Sequence, residues 1–129
     1  MDETKKPARS ATVLVIDDSD VDRHVMVDLL SKAGYAVHDL PSAIGATKAA
    51  REHNARVVVI DQNLPALNGA KLAALFRSNQ TMKDLRVILI SSNDEQTMAE
   101  LVREAQADAF VSKNRMHTEL VATVRRLMH

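Results

Sequence analysis

The sequence predicts an α/β domain with a doubly wound, five-stranded parallel sheet and helices on both faces. Three observations carry that prediction. Short β-branched or aliphatic runs recur about every twenty to thirty residues, a helix-length stretch follows each run, and runs such as Val57 to Ile60 are apolar throughout instead of alternating. Strict alternation of strand and helix implies a parallel sheet, because right-handed crossovers lay each helix over it. Continuous apolar runs suit strands buried on both sides.

The elements follow in order. Thr12 to Ile16 is the first strand; after it Val25, Met26, Leu29, Leu30 and Ala33 keep the helical period from Val21 and stop at Gly34, a residue suited to the position just past a helix. Tyr35 to Leu40 is the second strand, and Ser42 is expected to cap an alanine-rich helix weakened by Gly45. Val57 to Ile60 is the third, with Leu72, Leu75 and Phe76 as the apolar face of its helix. Val87 to Ile90 is the fourth, followed by Met98, Leu101, Val102 and Ala105. Ala109 to Ser112 is the fifth, followed by Leu120, Val121, Val124, Leu127 and Met128. For a domain of this size the set fits the flavodoxin-like order 2-1-3-4-5. Residues 1–11, with Lys5, Lys6, Pro7 and Arg9, read as a flexible N-terminal tail, and 12–129 as the folded domain.

Composition restricts the setting. With 129 residues, 46% of them apolar, the chain holds one globular core. Seventeen basic residues balance seventeen acidic ones, so neither nucleic acid nor an anionic membrane is an expected partner. The absence of cysteine excludes disulfides, thiolate chemistry and cysteine metal sites, and makes a reducing cytoplasm the expected location. The start, MDETKKPARS, lacks the apolar core of a secretory signal, and VVVI and VILI are too short to span a bilayer.

Against that neutral balance, VLVIDDSDVD stands out, with Asp17, Asp18, Asp20 and Asp22 inside six residues. In a sheet of this order the functional crevice lies at the carboxyl ends of the strands, between the first and the third. The first strand ends in Asp17 and Asp18 and the third in Asp61, so three carboxylates converge. Two such charges ~4 Å apart repel by about 4 kcal/mol at an effective dielectric near 20. The cluster therefore needs raised pKa values or a cation, most simply a hard, oxygen-preferring ion such as Mg²⁺ or Mn²⁺. The fourth strand adds the hydroxyl of Ser91 and the fifth the ammonium of Lys113. That set suits phosphoryl transfer to a carboxylate: metal and lysine balance charge on the phosphoryl oxygens, the hydroxyl donates to one of them, and the carboxylate is the nucleophile.

Four motifs in order, IDDSD, DQNLPALNG, ISS and VSK, each at a strand end, make the chain resemble the receiver domains of bacterial two-component response regulators, of the chemotaxis-regulator type, from about Thr12 onward. The resemblance implies a phosphoacceptor at Asp61, with Asp17, Asp18, Asp61 and the backbone carbonyl of Asn63 holding Mg²⁺ or Mn²⁺. It implies that Ser91 and Lys113 contact the phosphoryl group and that Phe110 is the aromatic switch residue. Asn63 and Asn93 fall at positions linked to the lifetime of the phosphorylated state. The implied function is a signalling phosphoacceptor in a two-component system or phosphorelay, assisting its own phosphorylation and dephosphorylation but not a conventional enzyme. A sensor histidine kinase or phosphotransfer protein would be the donor, and an unidentified protein the downstream target.

The sequence departs from the family pattern in places. Asn114 follows Lys113 where most receivers carry proline, which predicts a trans peptide and a reshaped start to the last helix. Phe110 lacks the phenolic hydroxyl of many relatives, and Asn68 stands where an acid is common, with its effect expected to stay in the loop.

Plainer readings compete at several positions. Asp20 reads as the N-cap of the first helix, Asp22 as a first-turn acid and Gly69 as a loop-geometry residue. A calcium loop is rejected, since Arg23 and Leu29 occupy the places of its glycine and closing glutamate. His24, His38, His53, His117 and His129 show no ligand spacing and read as surface residues, and an exposed Met98 or Leu101 could mark a partner surface. A phosphatase of the haloacid dehalogenase type wants a second Asp two residues after its nucleophile, whereas Gln62 and Asn63 follow Asp61. Two further alternatives are a receiver-like interaction module that works without phosphorylation and a receiver excised from a larger multidomain protein.

Overall fold

The computed structural model describes residues 12–128. The expected flexible tail over 1–11 lies outside the described residues, as does His129. Five parallel strands, β1 (Thr12–Ile16), β2 (Ala36–Leu40), β3 (Val57–Asp61), β4 (Arg86–Ser91) and β5 (Ala109–Ser112), form one sheet in the order β2-β1-β3-β4-β5. The helices are α1 (Asp20–Lys32), α2 (Ala46–Glu52), α3 (Gly69–Ser78), α4 (Glu95–Ala105) and α5 (Met116–Leu127). The predicted order and alternation are both present.

Alternate residues of the central strands feed two cores, because successive side chains point to opposite faces. Leu14, Ile16, Val58, Ile60, Val87 and Leu89 pack on one face with Ala46 of α2, Leu72 and Phe76 of α3, and Met98 of α4. Val13, Val15, Val57, Val59, Ile88 and Ile90 pack on the other with Met26 and Leu30 of α1, and Leu120 and Val124 of α5. β1 and β3 are buried at every position, which is what their unbroken apolar runs require. The reversal of winding falls between β1 and its neighbours β2 and β3, so the carboxyl ends of β1 and β3 open into one crevice.

Local expectations fail at several points, each for a physical reason. The N-cap of α1 is Ser19, whose hydroxyl accepts from the Asp22 N–H at 3.2 Å, and Asp20 is instead the first helical residue. Ser42 does not cap α2: its hydroxyl accepts from the Ile44 N–H two residues on, an arrangement that competes with helix initiation. α2 starts only after Gly45, which takes the left-handed conformation at φ 78° and leaves a helix of seven residues. Leu75 is half exposed, since only Leu72 and Phe76 of the predicted face reach the core. Met98 is fully buried and offers nothing to a partner, while Leu101 is half-buried against the same core. β2 begins at Ala36, one residue after Tyr35. As expected, Gly34 takes a positive φ (100°) past the end of α1.

Candidate functional site

The carboxyl ends of the strands bring together the residues the sequence placed there. Asp17 follows β1 and is fully buried, Asp61 closes β3 at 2% exposure, and Ser91 closes β4 with no exposure. Asp18, the next residue after Asp17, is exposed at the rim. Each of Asp17, Asp18 and Asp61 offers a carboxylate oxygen within 4.8 Å of the others. The Lys113 ammonium, just past β5, lies 2.9 Å from Asp17 Oδ2, 2.8 Å from Asp22 Oδ2 and 3.6 Å from Asp61 Oδ2.

The backbone fixes these side chains from below. The Asp17 N–H donates to the Leu40 carbonyl, and Asp17 Oδ1 accepts from the Ser19 N–H at 2.9 Å. Asp61 Oδ1 accepts from the Asn63 N–H at 3.1 Å. Asn63 itself is exposed, and its side-chain amide donates to Ser91 Oγ at 3.2 Å, while the Asn93 N–H donates to the same oxygen at 3.0 Å. Both asparagines that the resemblance linked to phosphate lifetime therefore act on the Ser91 hydroxyl. Phe110 pairs with Leu89 in the sheet and packs, half-buried, against the core shared with Leu101 and Val102 of α4.

Burial sets the electrostatics. It pushes the Asp61 carboxyl up to about 6, with the nearby Asp17 charge adding to the rise and the Asn63 N–H and Lys113 opposing it. Burial also works against the Lys113 charge, but Asp22, Asp17 and Asp61 outweigh it and hold the ammonium above the ordinary lysine range. Asp17 Oδ2 is buried with no aligned hydrogen-bond donor even though the ammonium is close by, so its pairing is by charge alone. A buried, negatively charged oxygen without a directed donor, beside two further carboxylates, fits a hard divalent cation such as Mg²⁺ or Mn²⁺.

Three contributors were not foreseen. Asp22 is more than a first-turn acid, because it crosses 91 residues of chain to Lys113. Arg23 lies under the acidic loop, with Nε donating to Asp39 at 2.8 Å, Nη1 to the Asp17 carbonyl at 2.8 Å and Nη2 to Asp20 at 2.6 Å. Gln62 is buried, and its Oε1 accepts from the Ala70 N–H at 2.9 Å, tying the start of α3 to the end of β3. Gly69 is needed for close approach and not for turn geometry: a Cβ there would stand 2.7 Å from the Asp61 carbonyl oxygen and 2.8 Å from Gln62 Cα. Asn68 is the N-cap of α3, accepting from the Lys71 N–H at 2.9 Å, so its role reaches beyond the loop to the start of the helix.

The peptide after Lys113 is trans, as are all the others among the described residues. A short 3₁₀ turn over Lys113–Arg115 precedes α5. His24, His38, His53 and His117 are surface residues as expected, with the rings of His38 and His53 stacked at a centroid distance of 3.5 Å, and His129 lies outside the described residues.

Comparison with known proteins agrees with this architecture. The family model of the response regulator receiver domain matches residues 13–125. The polar-differentiation response regulator DivK of Brucella ovis is 21% identical over 114 residues, covering 88% of this chain and 93% of its own. The transcriptional regulatory protein GltR of Pseudomonas aeruginosa is 25% identical over 121 residues; the match covers 94% of this chain and half of GltR. Among solved structures, the chemotaxis protein CheY4 of Vibrio cholerae superposes with a TM-score of 0.84 at 22% identity, covering 91% of this chain and 98% of its own. The signal receiver domain of a signal transduction histidine kinase from Syntrophus aciditrophicus gives a TM-score of 0.82 at 19% identity over 92% and 89% of the two chains. The two structures share the fold.

Proposed function

The chain belongs to the response regulator receiver domain family, and from that premise we propose that it accepts a phosphoryl group on Asp61 from a phosphohistidine and uses the change to switch a protein-binding surface. Receiver domains of this family work in two-component signalling and interact with histidine kinases or phosphotransfer proteins. The observation that carries the proposal is the buried Asp61 carboxylate held between Asp17 and Lys113, with Ser91 on the neighbouring strand end.

The chain's own groups divide the work. A carboxyl held near 6 is mostly ionised at neutral pH, so Asp61 is available as a nucleophile. One of its oxygens attacks phosphorus; the phosphorus–nitrogen bond of the phosphohistidine breaks, and the imidazole leaves with the electron pair and takes a proton from solvent. Lys113 supplies a fixed positive charge toward the transferred oxygens, and the Ser91 hydroxyl donates to one of them. Asp17, Asp18, Asp61 and the backbone carbonyl of Asn63 would hold Mg²⁺ or Mn²⁺, which when bound neutralises charge on the phosphoryl oxygens. Attack by water on the acyl phosphate then releases inorganic phosphate and restores the Asp61 carboxylate. Asn63 and Asn93, both bonded to Ser91 Oγ, tune how long the phosphorylated state lasts.

For the output, Ser91 moves toward the phosphoryl group and Phe110 fills the space it leaves, altering the face made by α4, β5 and α5. Among the described residues no helix is long and apolar enough to cross a membrane. The deciding experiment is intact mass after incubation with acetyl phosphate, with and without Mg²⁺, beside Asp61→Asn. A metal-dependent gain of one phosphoryl group, absent in the variant, is expected. No gain under any condition would leave a receiver fold acting through phosphate-independent contacts.

A further inference from the structure

Asp22 makes the shortest contact to the Lys113 ammonium, 2.8 Å in hydrogen-bonding geometry, yet it stands outside the three-carboxylate cluster. It sits in the first turn of α1, whereas Lys113 stands past β5. Both side chains are well shielded, at 29% and 14% exposure. The ammonium leans toward Asp22 and Asp17 and away from Asp61, which it approaches only to 3.6 Å. A divalent cation on Asp17, Asp18 and Asp61 would neutralise the pull of Asp17 and leave Asp22 as the one uncompensated anion on the lysine.

We infer that Asp22 is a positioning residue that latches Lys113 against α1, so that the phosphoryl group on Asp61 must compete with Asp22 for the ammonium. This rests on the phosphoacceptor reading and goes beyond it. The latch lowers the affinity of the site for phosphoryl-like ligands and ties the first turn of α1 to the end of β5. Release of that tie accompanies phosphorylation. Because the ammonium now stands 3.6 Å from Asp61, closing on new oxygens beyond that carboxylate draws it away from Asp22 and lengthens the 2.8 Å contact.

The test compares wild type, Asp22→Asn, Asp22→Glu and Asp20→Asn. The probe is beryllofluoride in saturating Mg²⁺, titrated by calorimetry, with Mg²⁺ titrated alone as a second readout. Asp22→Asn keeps the shape and removes the charge, and beryllofluoride is expected to bind about five- to tenfold tighter, with Mg²⁺ affinity changed less than twofold. Asp22→Glu should restore the wild-type value. Asp20→Asn removes another first-turn acid that does not touch the lysine, and should match wild type if the effect is a latch and not helix-dipole loss. In metal-free protein, ¹⁵N-detected Lys113 ammonium protons should exchange faster in Asp22→Asn than in wild type. Equal or weaker beryllofluoride binding by a folded Asp22→Asn, or an equal gain in Asp20→Asn, overturns the latch alone. Failure of the wild type both to bind the mimic and to take up phosphate overturns the phosphoacceptor reading and the latch with it.

Discussion

Replacing Asp61 with Asn should make the metal-free domain more stable at neutral pH. Asp61 is 2% exposed, and burial with the Asp17 charge raises its carboxyl from the ordinary value near 3.8 to about 6. Between those values the folded state binds more protons than the unfolded chain, so stability falls as pH rises through that window and the loss is complete above about 6. A shift of about 2 units corresponds to about 3 kcal/mol of penalty on the ionised form at pH 7. That penalty is already net of the attraction of Lys113 at 3.6 Å; the amide retains the shape and the Asn63 N–H contact, and since an amide is an imperfect stand-in for a neutral carboxyl the expected gain is about 1–2 kcal/mol. For a domain of this size that is a rise in Tm of about 3–8 °C. Thermal melts in a chelator at pH 7.5 and again at pH 4 should show the gain at the higher pH and little at the lower. Adding Mg²⁺ should stabilise the wild type far more than the variant. Equal melting of the two proteins at pH 7.5, or a less stable variant, would refute the claim that the Asp61 charge is a cost carried for function.

Gly69→Ala places a methyl 2.7 Å from the Asp61 carbonyl oxygen, and α3 must shift, at about 1–3 kcal/mol measured by urea unfolding, with slower uptake of phosphate from acetyl phosphate. Asp108 accepts from the Arg77 guanidinium and, at 2.8 Å, from the Val87 N–H, at the end of the sheet away from the site. Asp108→Ala should cost about 2–3 kcal/mol; because Arg77 also donates to the Gln106 and Leu85 carbonyls, Arg77→Met carries a loss of its own, and a double-mutant cycle reads the Arg77–Asp108 coupling directly. Partial desolvation and the neighbouring His53 ring lower the pKa of the exposed His38 against the opposing pull of Asp39, so its contribution is intact above the free-histidine value of about 6.5 and is lost as pH falls below it. Urea midpoints from pH 5 to 8 should fall less steeply toward acid in His38→Gln than in wild type.

The strands were legible because burial on both faces leaves a signature in the residues themselves: VVVI has no polar position that could face water. The same rule placed Asp17, Asp18, Asp61, Ser91 and Lys113 together, since each stands at the carboxyl end of a strand and parallel strands end on one side. Helix starts were less legible, because Ser19 and Asp20 are both good caps and sequence alone does not say which hydrogen bond forms. Ser42 misled for a related reason, its hydroxyl being satisfied by a local turn. What stayed hidden was whatever depends on a partner distant in the chain. Asp22 meets Lys113 and Arg23 reaches Asp39 only after α1 has docked, and no spacing in VLVIDDSDVDR announces either contact. Gly69 is similar, since its requirement comes from the β3 backbone it touches.

Charge at the strand ends also orders events on the proposed pathway. Asp17, Asp22 and Asp61 all lie within 4 Å of the one Lys113 ammonium, and Asp18 completes the rim. Arg23 does not relieve this imbalance, because its guanidinium is committed to Asp20, Asp39 and the Asp17 carbonyl. A phosphoryl group arriving here would add negative charge to a place already short of positive charge, at several kcal/mol per close pair in a partly buried site. A divalent cation arriving first reverses that sign, and exposed Asp18 gives it a route to the buried oxygens. If phosphorylation proceeds as proposed, the carboxylates that make the metal-free domain less stable are what would make it conditional on metal, and the stability gained by neutralising Asp61 and the requirement for the cation would have one physical origin.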